Sequence, residues 1–256
     1  MNGQRSGAIL PPVRRTGAGR IALLLALLLL PGLLLAAPAA ALSGPGGPLQ
    51  TRLEQWPAWR LPAPLPRPGD RAPAWPDWFA GEWQVQSTSL EATTDAGGRP
   101  DPPWRARFVA DPGGRVVADR AFNADSLGQA LLGDQLRDVR DDHRHPQRQL
   151  SRFQDGRLLE TTLVGARTET IDADTVLNDE LSLQVLHGAG EPQLSRLETL
   201  GRWHRRPDGG IDGEQWLARY PSPSDGLIAE AEPISRIRLR LDPLPPAPGP
   251  ASGTAG

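Results

Sequence analysis

From residue 81 to residue 241, apolar and polar side chains alternate in short runs. A period of two restricts such a chain to extended strands with one face turned to a core. The runs are 81–90, 104–110, 115–122, 136–140, 147–153, 157–164, 180–186, 194–204, 211–220 and 234–241. Trp104, Ala106 and Phe108 alternate with Arg105, Arg107 and Val109, and Leu181, Leu183 and Val185 with Glu180, Ser182 and Gln184. Ile237, Leu239 and Leu241 stand opposite Arg236, Arg238 and Arg240. Turn chemistry separates the runs at Asp111-Pro112-Gly113-Gly114, Asp155-Gly156 and Arg206-Pro207-Asp208-Gly209-Gly210. One or two helical turns are expected at 126–132. The pattern is all-β, an antiparallel sandwich or barrel.

The flanks read differently. Residues 1–41 form a signal peptide: Arg14, Arg15 and Arg20 precede an apolar run broken by Pro31-Gly32, and Ala37-Pro38-Ala39 or Ala39-Ala40-Ala41 supplies a cleavage site. The apolar run before Pro31 is too short to span a bilayer. Residues 42–75 are a Pro-rich extended linker whose tryptophans, Trp56, Trp59 and Trp75, suggest that parts of it dock. Residues 76–243 form the folded domain, and 244–256 a disordered Pro/Ala/Gly tail. Residues 43–74 and 244–256 are expected to be dispensable for folding, and the mature protein to be soluble outside the cytoplasm.

Composition removes whole classes of chemistry. There is no cysteine and no lysine, so disulfides, thiolate nucleophiles, Schiff bases and a phosphate-loop lysine are all excluded. The net charge is −2, and residues 1–41 hold four arginines and no acid, so the remainder is more acidic still. Scattered arginines on an acidic chain leave no footprint for nucleic acid.

The segment Pro76-Asp77-Trp78-Phe79-Ala80-Gly81-Glu82-Trp83-Gln84-Val85, an aromatic pair followed by Gly-x-Trp, resembles the opening of lipocalin and calycin barrels. That resemblance implies a single antiparallel barrel with a short helical turn before the first strand. It makes Gly81 and Trp83 a structural plug, with Arg236, Arg238 or Arg240 of the last strand covering the indole. The same segment, with Arg115–Asn123, Arg157–Glu169 and the closing arginine strand, is similar to an uncharacterised family of exported cyanobacterial and plastid proteins. The similarity covers about residues 75–242 and implies a thylakoid-lumen or periplasmic compartment. It brings no assigned activity and no functional residue.

Local motifs for catalysis are weak. Asp141-Asp142-His143-Arg144-His145 could gather a metal, but Arg144 repels a cation and the run suits a hairpin turn. Glu198 with His204, or Glu180 with His187, could form acid–base pairs only by shared strand face. The expected function is therefore non-enzymatic, with no cofactor and no metal. Trp104, Phe108, Trp203, Trp216 and Tyr220 are candidates to line a pocket for a hydrophobic or amphipathic ligand such as a pigment, lipid or quinone. An assembly factor docking on a membrane protein complex, and a barrel enzyme of isomerase or de-epoxidase type, are the alternatives.

Overall fold

The chain enters its first long strand through Gly81, whose φ of 119° suits a residue without Cβ. A computed structural model describes residues 46–69, 71–90, 100–220, 222 and 232–245. Within them, eleven strands form one antiparallel sheet. In chain order these are β1 (Ala74–Trp75), β2 (Gly81–Ser89), β3 (Trp104–Ala110), β4 (Val116–Ala118), β5 (Leu136–Asp141) and β6 (Arg148–Phe153). Then follow β7 (Leu158–Thr170), β8 (Thr175–His187), β9 (Gln193–Arg205), β10 (Ile211–Tyr220) and β11 (Glu232–Pro243). The sheet order is β1-β4-β3-β2-β11-β10-β9-β8-β7-β6-β5, so the last strand lies beside the first long one. The segment expected to be a signal peptide, and all but the start of the expected tail, fall outside the described residues.

Two helices are described, α1 (Pro48–Glu54) and α2 (Arg120–Leu132). The sheet curls, and α2 packs on both β3 and β5, bridging two flanks that no strand joins among the described residues. A 3-10 turn at Asp77–Phe79 precedes β2 and buries Phe79. The result is an all-β, barrel-like architecture with a short helical turn ahead of its first long strand.

One end of the curl is filled by aromatic rings. Trp75, Phe79, Phe108 and Trp203 meet with centroids 4.3 to 5.8 Å apart. Trp83 is buried among them, and its Nε1 donates to the Phe79 carbonyl at 2.8 Å. The arginines of β11 do not cover it. Register places Leu241 opposite Val85 and Pro243 opposite Trp83, so the alternate residues Arg236, Arg238 and Arg240 face outward. There Arg236 pairs with Glu214 at 2.9 Å and lies 5.3 Å from the Trp216 ring, while Arg240 pairs with Asp242. A period-two strand cannot turn its arginines toward an indole that its apolar residues already face.

The helix departs from the expected pattern. Residues 115–122 read as a strand, but β4 ends at Ala118 because the Asp119 carboxylate accepts from Phe122 N at 3.1 Å and caps α2. The short helix expected at 126–132 is only the second half of that element.

The segment before the domain is not loose. Helix α1 and Trp59 lie on the outer face of the sheet, where Trp59 is 2 % exposed among Leu200, Trp216, Ala218 and Tyr220. Leu49 N donates to the Glu169 carboxylate at 3.1 Å, and Ala166 N to the Pro66 carbonyl at 3.0 Å. The strap therefore supplies apolar cover and hydrogen-bond partners to the sheet. The expectation that residues 43–74 are dispensable gives way to another: a chain starting at residue 75 should melt well below the full chain.

Candidate functional site

Strand β8 carries the most informative surprise. Its polar set, Asn178, Glu180, Ser182 and Gln184, is buried on the inner face, while Leu181, Leu183 and Val185 are half-buried on the outer one. Register fixes the face. Val176 pairs with Trp203 of the aromatic core, and the residues two, four and six further along β8 point the same way.

Cross-strand pairing continues this polarity around the sheet. Asn178 pairs with Gly201, which pairs with Gln215; Glu180 pairs with Thr199, which pairs with Leu217 and then Ser235. A belt of polar side chains thus crosses β8 to β11 directly above the aromatic floor. Asn178 Nδ2, Ser182 Oγ, Thr199 Oγ1, Gln215 Nε2 and Ser235 Oγ find no hydrogen-bond partner among the described residues. All five belong to residues no more than 3 % exposed. Each unmet group of this kind costs about 1–3 kcal/mol. Five on one face of a marginally stable fold call for polar groups to meet them.

The floor itself is fitted around one indole. Trp203 is fully buried, and its Nε1 donates to Asn178 Oδ1 at 2.6 Å. A Cβ on Gly201 would stand 2.5 Å from that nitrogen, and a Cβ on Gly213 2.5 Å from the six-membered ring. Two glycines on neighbouring strands therefore make the slot in which Trp203 lies. Gly201-Arg202-Trp203 repeats the Gly-x-Trp spacing of Gly81-Glu82-Trp83, and that repeat was the signal in the sequence.

A second polar constellation lies on the outer face beneath the strap. Arg52 donates through Nε and Nη2 to both oxygens of Glu198, at 2.7 and 2.8 Å. Tyr220 Oη donates to Glu198 Oε2 at 2.6 Å, and Ala63 N reaches the same oxygen at 3.0 Å. Asp179, fully buried, sits diagonally across the ladder from Glu198. Burial, then the neighbouring Glu198 charge, push the Asp179 carboxyl well above the ordinary carboxylate range, with Arg52 opposing. The same causes push the Tyr220 hydroxyl up as well. Held as the neutral acid, Asp179 can donate to Glu198, so the pair shares one negative charge facing one guanidinium.

That arrangement gives a pH signature. A carboxyl with a raised folded pKa stabilises the fold below its unfolded value, near pH 4, and loses that contribution as pH climbs through the raised value. Asp111, Asp142 and Asp155 are lowered by backbone N–H donors and act in the opposite sense, on acidification. Asp179→Asn should therefore leave the acid limb unchanged and flatten the loss at higher pH. Once pH has risen above the raised Asp179 value, the variant should melt above the native chain. Parallel melting curves across the whole range would sink the shared-proton reading.

The structure separates the five candidate pocket residues. Trp104, Phe108 and Trp203 belong to the inner core, where Trp104 Nε1 donates to Ser87 Oγ at 3.0 Å. Trp216 and Tyr220 lie on the opposite face under the strap. The candidate acid–base pairs are not formed. Glu198 is held by Arg52, His204 Nδ1 meets Thr175 Oγ1 at 3.1 Å, and His187 pairs with Glu160 rather than with inward-facing Glu180. Asp142 sits in the β5–β6 turn and accepts from Arg144 N. No group of three or more metal-ligating side chains occurs among the described residues.

Among known proteins, a family model described as a domain of unknown function, DUF6816, matches residues 69–243. No curated protein and no solved structure matches the chain.

Proposed function

The chain belongs to the DUF6816 family of domains of unknown function, and from that premise we propose that it is a non-enzymatic binding protein holding an amphipathic ligand inside its curled sheet. The observation that carries this reading is the inner polar belt above an aromatic floor. An apolar body would rest against Trp104, Phe108 and Trp203, and polar groups would meet the orphaned amide and hydroxyl atoms of Asn178, Gln215, Ser182 and Thr199. A flat, wholly apolar molecule would leave those atoms unmet, so the belt favours the amphipathic end of the expected ligand range. The basic, then apolar, then small-residue start of the chain supports export to a lumen or periplasm. Among the described residues, no helix is long and apolar enough to cross a membrane.

Native mass spectrometry of the mature protein after gentle extraction tests the proposal. A co-purifying amphiphile, lost when Thr199→Val and Gln215→Leu are combined, is the expected result. The reading fails if the protein flies bare and its melting temperature stays constant across a panel of neutral, anionic and cationic amphiphiles.

A further inference from the structure

Arg120 is the first residue of α2, and its side chain belongs to the buried face shared with Ala124, Leu127 and Gly128. Leu127 on that face packs in the aromatic core, so the face is the one that α2 turns inward. Arg120 is 8 % exposed, yet its Nε and Nη2 have no acceptor among the described residues, and Nη1 makes only a 3.5 Å contact with Gln147 Oε1. No carboxylate pairs with it in the structure's ion pairs among the described residues. A guanidinium taken out of water without a counter-charge is among the costliest arrangements a fold can hold.

The surroundings repeat the pattern. The Gln147 carbonyl accepts from Leu163 N; Leu163 pairs with Ser182, Ser182 with Leu197, and Leu197 with Arg219. One inner row of the sheet therefore runs from the neighbourhood of Arg120 to Arg219, with the unpartnered Ser182 hydroxyl on it. Arg219 leaves the same two atoms, Nε and Nη2, buried and unmet. Those two nitrogens form the side-on edge of a guanidinium, whose parallel N–H bonds match a carboxylate or phosphate. Elsewhere this chain spends that edge on carboxylates: Arg52 on Glu198, Arg107 on Asp119 and Arg115 on Asp111. Glu180 lies one step along β8 from this row and has an interaction of its own, so its charge disfavours an anion at the middle of the belt and favours one at the arginine ends.

We propose that the interior ligand is an amphipathic anion, its acidic head received by the side-on edge of Arg120 at the helix–sheet junction and its apolar body lying over the aromatic floor. This rests on the interior-binding reading above and adds the charge and the anchoring residue. A fatty carboxylate and a lipid phosphate share the required chemistry.

The test titrates the full mature chain with a dansyl-labelled medium-chain carboxylic acid and with its methyl ester, following energy transfer from tryptophan. A monoacyl phosphate is run as a third probe to separate the two sources. The acid or the phosphate should bind roughly tenfold or more tightly than the ester. Arg120→Met should abolish that contrast, while Arg120→Lys keeps part of it. Without ligand, Arg120→Met should also melt above the native chain, because an uncompensated buried charge is gone, and a merely structural arginine would give the reverse. Equal binding of acid, phosphate and ester overturns the anion inference and leaves interior binding standing. Binding of none of the probes overturns both. A contrast that survives Arg120→Met but vanishes in Arg219→Met overturns the assignment to Arg120. Should Arg120→Met fail to fold, Arg120→Lys and Arg219→Met decide the matter on the same contrast.

Discussion

Replacing Arg52 by alanine should lower stability by about 3–5 kcal/mol, the cost of stranding one member of a buried ion pair. Its side chain is 13 % exposed and that of Glu198 is wholly buried, so solvent cannot take over the lost partner. Glu198 and Asp179 would then face each other with the Tyr220 hydroxyl and Ala63 N as the remaining donors to Glu198 but no guanidinium to offset their shared charge. The chain can respond by protonating the second carboxyl or by releasing the strap, and both routes lower the melting point. For a domain of this size the expected drop is roughly 6–20 °C. The double replacement Arg52→Met with Glu198→Gln should recover at least half of it, since both charges leave together and glutamine still accepts from Ala63 N. Thermal melts of the three chains check the claim. If Arg52→Ala melts within a degree or two of the native chain, the strap is not held by this pair.

Trp203→Ala should cost about 3–5 kcal/mol as a large-to-small core change. The indole is fully buried between Gly201 and Gly213, so neighbouring strands have no side chains there that could collapse into the space. Asn178 Oδ1 would also lose its donor. Gly213→Ala should be harmful for the converse reason, because its methyl group would overlap the ring at 2.5 Å. Denaturant midpoints report both changes. The two replacements together should be less harmful than their sum, because the added methyl group enters the space the indole vacates. Strict additivity would mean that the glycine slot does not hold the ring.

Much of the architecture was readable from alternation and turns. The runs that became β2, β3, β6, β9, β10 and β11 match the structure to within a few residues, because alternation and the turn residues between runs bound each strand locally. The pairing of last strand with first was also legible, through the Gly81-x-Trp83 opening and its barrel resemblance. Helix α2 was half hidden, since Val116 to Phe122 alternates as well as a strand does and only the Asp119 cap breaks it.

The candidate site was far less legible, and β8 shows why. Glu180, Ser182 and Gln184 look like a solvent face in any one-dimensional pattern, and Leu181, Leu183 and Val185 like the buried one. The assignment of faces belongs to the sheet, not to the strand: Val176 must follow Trp203 into the core, and every second residue follows Val176. The outer leucines are then sheltered in part by the strap, whose Trp59 and Arg52 lie more than a hundred residues away in the chain. The same distance hides the carboxylate site, which joins α1, β8, β9 and β10.

Sequence alone determined that this chain is built of strands and that it lacks cysteine and lysine chemistry, because period and composition are properties of the chain itself. Tertiary structure alone decided which face of β8 is inside, that the strap is part of the fold, and that Arg120 and Arg219 end one inner row, because register couples residues with no local relation. A pleat carries two faces of equal standing, and only the partner strands say which of them meets water.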